Sequence, residues 1–165
     1  LSARSIQRSQ TSCTVPSHCR IVKRPTKHCH RNNMGLVQKE LGNASEAIKL
    51  FSKALKIAHA EFGEKHPKIG MYENNLGDAY AKVHEFKEAE RYFEHSLQVL
   101  ELTLGKDHIE VSDALYNYAM FDIEQRRLKA AKEKLLRAAQ IVKATLNEQH
   151  PKFIKYTKIL KELQV

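Results

Sequence analysis

Apolar residues recur along much of this chain at three- and four-residue steps, the spacing that gathers side chains on one face of an α-helix. The clearest stripe is Ala47, Ile48, Phe51, Ala54, Leu55 and Ala58, which predicts a helix over about 45–62 with one buried side. A shorter helix precedes it over about 31–41. Gly42-Asn43 supplies the turn between them, because glycine accepts the left-handed backbone that closes a helix. Two further pairs follow, 71–83 with 86–104 and 109–125 with 128–146. A last helix over about 152–163 carries Phe153, Tyr156, Leu160 and Leu163 on one side and Lys155, Lys158 and Lys161 on others.

The pairs are copies of one unit. A shift of 42 residues superposes Asn33, Asn75 and Asn117, then Gly35, Gly77 and Ala119, then Ala47, Ala89 and Ala131, then Ala54, Ser96 and Ala138. Small residues therefore recur where two helix backbones must approach closely, with Leu76, Tyr80, Phe93 and Leu97 around them in the middle copy. Gly63-Glu64-Lys65-His66-Pro67 returns as Gly105-Lys106-Asp107-His108-Ile109 and as Asn147-Glu148-Gln149-His150-Pro151, loops that lead into the next helix. Proline at a helix start forfeits no hydrogen bond. The three loop histidines occupy one place in successive copies, and stacking would hold them a helix-pair width apart, roughly 20 Å. A structural role is expected of them, not a shared metal. In the last helix Lys161 stands where the other copies carry Gly35, Gly77 and Ala119, so the array is expected to stop there with that helix as a cap. The implied layout is a leading segment 1–30, repeats over about 31–67, 68–109 and 110–150, and a cap over 151–164.

The 165 residues are 42% apolar and 28% charged, a globular balance. The formal charge of +9 would suggest a nucleic-acid partner, but seven of the 28 Lys/Arg and none of the 19 Asp/Glu fall in residues 1–31, leaving the remainder at +2. A nucleic-acid-binding fold usually carries its basic stripe on the folded surface, so nucleic acid is the disfavoured partner. The leading segment mixes Ser, Thr, Arg, Lys, Pro16 and Pro25 without helical or strand period and reads as a disordered basic arm. Cys13, Cys19 and Cys29 are an odd set without a C-x-x-C pair. With His18, His28 and His30 they are metal-ligand types, yet adjacent His-Cys and Cys-His residues diverge along an extended chain, so no metal is expected. No disulfide framework follows, and a reducing compartment is the default. No run of about 18 apolar residues is present, so no membrane-spanning helix is expected. A cytoplasmic location is the expectation; the Arg- and Ser-rich, acid-free start resembles a mitochondrial transit peptide in composition and keeps that alternative open. Leu1 in place of Met suggests a fragment of a longer protein.

With small residues at Gly77, Ala89 and Ser96, Leu76 before the first, and Tyr80 and Phe93 between, the unit resembles the tetratricopeptide repeat, whose usual period is about 34 residues. The longer period here lengthens the helices by about two turns in all. Together with the Asn-Asn-(Met/Leu)-Gly opening and the Gly-x-x-His-Pro loop, the pattern is similar to the long repeats of kinesin light chains and nephrocystin-type proteins. The resemblance implies an all-α, right-handed solenoid of antiparallel helix pairs, in which one pair cannot cover its apolar face and must stack on the next. It also implies a protein-interaction scaffold with no catalysis and no cofactor, holding a peptide or partner segment in a concave groove lined by the first helix of each pair. Carried over position by position, the groove residues are Cys29, Asn32, Leu36, Lys39 and Glu40, then Met71, Asn74, Asp78, Ala81 and Lys82, then Asp113, Tyr116, Met120, Ile123 and Glu124. Members that clamp a C-terminal carboxylate would carry Lys and Asn in the first copy, Asn in the second, and Lys with Arg in the third. This chain has Asn32 and Leu36, then Asp78, then Tyr116 and Met120. A carboxylate ligand would meet Asp78, a like charge, and is not expected.

What the implied groove offers is amide: Asn32, Asn33, Asn74, Asn75 and Asn117 both donate and accept, which suits an extended backbone, beside an apolar end at Tyr116, Met120 and Ile123. Asn33, Asn75 and Asn117 have a second reading, as structural residues that satisfy backbone groups between repeats. Charge also varies along the array, with residues 75–116 at −5 and 117–165 at +6. Arg126, Arg127, Lys129, Lys132, Lys134 and Arg137 supply much of the second figure, either as a solvated helix face or as a docking patch for an acidic partner or phosphates. A further alternative is a structural segment of a longer solenoid, such as a cargo-adaptor light chain, with no ligand of its own. Signatures of catalysis are missing: there is no Gly-rich phosphate loop, no G-x-S-x-G elbow and no paired histidine ligands on one helix. His84-Glu85-Phe86-Lys87-Glu88 begins like a zinc-protease motif and ends in Glu. Asn43-Ala44-Ser45 is a glycosylation sequon that a reducing compartment would leave unused.

Overall fold

The computed structural model describes residues 26–163. Among these residues the chain forms seven helices: α1 (Lys27–Glu40), α2 (Ala44–Phe62), α3 (Pro67–Lys82), α4 (Phe86–Leu104), α5 (Ile109–Glu124), α6 (Leu128–Thr145) and α7 (Pro151–Glu162). Each helix packs on the next in sequence, and the odd-numbered helices α1, α3 and α5 also touch one another in order. That pattern is the stacked array of pairs expected from the 42-residue register.

Close approach within a pair depends on the small residues. A Cβ on Gly77 would lie 2.9 Å from the Phe93 ring, and one on Gly35 would lie 2.5 Å from the Phe51 ring. In the third pair Ala119 replaces glycine and Leu135 replaces the facing phenylalanine, so the added methyl is matched by a smaller partner; both are fully buried. Burying side chains of this size stabilises by about 1.5–3 kcal/mol each. The array is thus welded by a repeated small-against-large contact.

The turns also repeat in register. Gly42, His84 and Arg126 hold one left-handed position between the helices of a pair, at φ of 81°, 62° and 59°. Gly63, Gly105 and Asn147 hold another between pairs, at 76°, 91° and 117°. Glycine adopts such angles without strain, whereas His84 and Arg126 hold them at a cost that the flanking helices impose. His66, His108 and His150 have a defined structural role: each is the residue preceding a helix, and each ring Nδ1 accepts a hydrogen bond from the backbone N–H two residues on, at 3.2 Å. They satisfy first-turn donors that have no intrahelical partner.

Two boundaries differ from the apolar pattern. Helix α3 starts at Pro67 and not near Met71, since Ile69 is fully buried in its first turn. Helix α1 starts at Lys27 and not near Arg31, so residues 27–30, assigned from sequence to the arm, are helical. The reason is a buried polar side chain. His28 is only 1% exposed, with its Nδ1 2.7 Å from the Tyr72 hydroxyl and its Nε2 2.7 Å from the Thr26 hydroxyl. Burial lowers its pKa below the ordinary histidine value, against the opposing pull of Glu61. A hydrophobic count scores this position as solvent-facing. The rest of the expected arm, including Cys13, His18 and Cys19, lies outside the described residues.

Candidate functional site

The odd-numbered helices line two adjoining hollows, of about 440 and 320 Å³, that share Tyr116 and Asn117. Asn32, Leu36, Met71, Asn74, Asn75 and Asp113 line the first, and Lys39, Glu40, Asp78, Ala81, Lys82, Met120 and Glu124 line the second. Most of the sequence-derived groove positions are therefore brought to one continuous surface. Three are not. Cys29 lies against the Tyr72 hydroxyl, which donates to its Sγ at 3.6 Å. Ile123 packs into the core around α6. Asn33 is exposed and lines neither hollow. Its register mates Asn75 and Asn117 each face a preceding odd-numbered helix, and α1 has none among the described residues.

Bonds between neighbouring odd-numbered helices follow fixed offsets, and they hold most of the polar groups in the groove. Asn75 Nδ2 donates to Asn32 Oδ1 at 2.9 Å, a bond between repeats that goes to a side chain and not to the expected backbone groups. Lys39 Nζ lies 2.6 Å from Asp78, with both side chains largely shielded. Asp78 is consequently not the lone carboxylate that the sequence suggested. What remains against a carboxylate clamp is that Lys39 is already engaged. Lys82 and Glu124 approach to 3.6 Å across the second hollow.

One amide breaks this order. Asn74 is 8% exposed, and its Oδ1 has no hydrogen-bond partner among the described residues. The donor that the repeat would supply is Asn117, which stands to Asn74 as Asn75 stands to Asn32. A buried acceptor left unpaired costs about 1–3 kcal/mol. The cost sits on the wall of the larger hollow.

Helix α7 adds residues to the groove that sequence reading assigned only to a cap. Lys152 Nζ lies 2.7 Å from Asp113, and Tyr156 donates its hydroxyl to the same carboxylate at 3.2 Å. Tyr156 stacks on Tyr116 at 4.8 Å between centroids, and Lys155 Nζ sits 4.3 Å above the Tyr116 ring. Burial, reinforced by the Asp113 charge, raises the Tyr156 pKa, so its phenol stays protonated as a donor. The register contained the signal: Lys152 and Lys155 fall at the places of Glu110 and Asp113.

Three of the six basic residues of 126–137 are tied into ion pairs. Arg127 pairs with Glu90 and lies 2.8 Å from Asp122. Lys134 reaches Asp122 at 2.6 Å and covers the Tyr118 ring at 4.1 Å. Arg137 bonds Glu101 at 2.5 Å. Arg126, Lys129 and Lys132 have no ion-pair partner among the described residues, and Arg126 also occupies the strained turn. The negative second repeat and the positive third meet at one joint, which takes Arg127, Lys134 and Arg137 out of the docking-patch reading and leaves Arg126, Lys129 and Lys132 to it. Among the described residues no cluster of three His, Cys, Asp or Glu could hold a metal, and no helix is long and apolar enough to cross a membrane.

Residues 27–102 match the family described as tetratricopeptide repeat. No curated protein matches the chain. Among solved structures, the chain is similar to a Podosopora anserina protein provisionally described as a kinesin light chain with nearly identical TPR-like repeats. The TM-score is 0.75 at 19% identity, over 86% of this chain and 67% of that one. A single-residue variant of that protein gives 0.74 at 19% identity, over 84% and 66%. BtubC (BKLC) from P. vanneervenii gives 0.72 at 18% identity, over 81% and 53%. The chain thus spans about two thirds of the first two and about half of the third. At these identities the likeness is one of fold, the all-α solenoid of stacked helix pairs.

Proposed function

We propose that this chain, whose tetratricopeptide repeats span residues 27–102 and whose helix-pair fold continues to α7, is a protein-interaction scaffold that binds an extended peptide or partner segment across α1, α3 and α5. The observation that carries this reading is Asn74. Asn74 lines the larger hollow and its buried Oδ1 has no donor among the described residues, so a small side-chain rotation would bring it to a backbone N–H of a bound segment. Asn117 beside it can donate and accept, so the pair would hold a peptide group without demanding a sequence. The Tyr116 ring adds an apolar face where the two hollows meet. Because Lys39, Lys82 and Lys152 are engaged with Asp78, Glu124 and Asp113, a partner held by backbone bonds and apolar contact fits better than one held by charge.

Selection of displayed random peptides on the full chain tests this reading. Selected peptides should lose ten-fold or more in affinity for a variant carrying Asn74→Ala and Tyr116→Ala that keeps the helical circular-dichroism signal. Unchanged affinity would remove the groove assignment.

A further inference from the structure

One face of the array lacks the counterpart that its register mates have. Leu76 and Ala79 of α3 are fully buried against Ala47 and Phe51 of α2. At the same places in the next repeat, Tyr118 and Phe121 of α5 are buried against Ala89 and Phe93 of α4. Leu160 and Leu163 of α7 likewise pack with Ala131 and Leu135 of α6. Each time, two positions one turn apart on an odd-numbered helix are covered by an alanine and a large apolar residue four places later on the preceding helix.

In α1 those two positions are Met34 and Val37, 43% and 58% exposed, and Leu41 one turn further is 67% exposed. Among the described residues nothing precedes α1 to cover them. The part of this chain that falls in register with a covering helix does not carry the pattern. Ser5 and Ser9 stand at the alanine and phenylalanine places, and Pro16 stands at the place of Ala58, Leu100 and Val142, where it would interrupt a helix.

The rim at the Met34 end of this face sets the charge of what would cover it. Lys27, His30, Arg31 and Lys53 surround Met34 and Leu50 in a shallow hollow of about 540 Å³ that no acidic residue lines. A second copy set face to face would bring like charges together. Its own faces of an alanine and a large apolar residue are already taken by α3, α5 and α7. We propose that the Met34–Val37–Leu41 face is a docking site for one amphipathic helix of another protein, carrying a small residue, a large apolar residue four places on, and acidic flanks. Such a helix would extend the array by one position, by the same contact that joins α4 to α5, and it would leave the groove free.

Two peptides copied from this chain serve as probes. Residues 86–104 carry Ala89 and Phe93 with a net charge of −2, and residues 128–145 carry Ala131 and Leu135 in the same spacing at +4. In fluorescence anisotropy with the full chain, the 86–104 peptide is expected to bind, and the 128–145 peptide to bind at least ten-fold more weakly. Val37→Asp should loosen the first peptide ten-fold or more, and Met34→Gln should act in the same direction, both at exposed sites that leave the helical signal unchanged. The groove variant with Asn74→Ala and Tyr116→Ala should leave this binding alone, which separates the two sites. Absence of 86–104 binding at millimolar peptide, equal binding of both peptides, or binding indifferent to Val37→Asp would overturn the proposal. So would self-association of the full chain that Val37→Asp abolishes, since the face would then belong to a second copy.

Discussion

Between the first and second repeats, the odd-numbered helices are tied by an amide pair, Asn75 to Asn32, and by a shielded ion pair, Lys39 with Asp78, over aliphatic and phenylalanine packing. Between the second and third repeats Tyr118 and Phe121 take the places of Leu76 and Ala79, with the Phe93 ring centroid 5.4 Å from that of Tyr118 and 5.5 Å from that of Phe121. That joint is tied by Arg127 to Glu90 and Arg137 to Glu101, and the corresponding amide bond, Asn117 to Asn74, is not made. One register therefore fixes where residues meet and leaves open which interaction they make. The second joint gives up an amide bond in the groove while its even-numbered helices carry the stacking. A buried acceptor is left unpaired there and not at the first joint.

The largest effect that separates the joints comes from overpacking. Ala89→Leu should destabilise the fold by about 1–3 kcal/mol, because the added atoms meet Phe93, Tyr118 and Phe121 in a closed cluster. Ala47→Leu, facing Ala79, should cost less. Equal costs in denaturant titrations, or an unaltered midpoint for Ala89→Leu, would count against the packing register described above.

A smaller effect separates charge from amide. Arg127→Ala strips one partner from Asp122, which is 1% exposed, and should cost about 1–3 kcal/mol at low salt. Asn32→Ala should cost about 0.5–1 kcal/mol. Raising ionic strength from 0.05 to 1 M, an order-of-magnitude screening step, should shrink the exposed Glu90 part of the first effect and leave the second unmoved. Parallel salt dependence of the two variants would erase the distinction.

Much of this was legible in the chain. The helices and their pairing follow from apolar period and from small residues at Gly35, Gly77, Ala89 and Ser96, since a repeat prints each signal several times. What was not legible depends on neighbours. His28 reads as polar and solvated until Tyr72, 44 residues away, is placed against it. Arg127, Lys134 and Arg137 read as a basic patch until Glu90, Asp122 and Glu101 are brought to them. Asn33, Asn75 and Asn117 are one residue in three copies, and only position in the array makes the first exposed, the second bonded and the third available. Lys152, Lys155 and Tyr156 lie on a helix whose pattern reads as a cap, although their register places them in the groove.

The amide position is bonded at the first joint and unpaired at the second. Side-chain amide NMR of the uniformly labelled chain reads this directly, without any partner. The account predicts slow solvent exchange for the Asn75 NH2 protons, held by Asn32, and fast exchange for those of Asn117. Equal protection at Asn75 and Asn117 would mean that Asn74 already has its donor, and the proposed peptide site would lose the observation on which it stands.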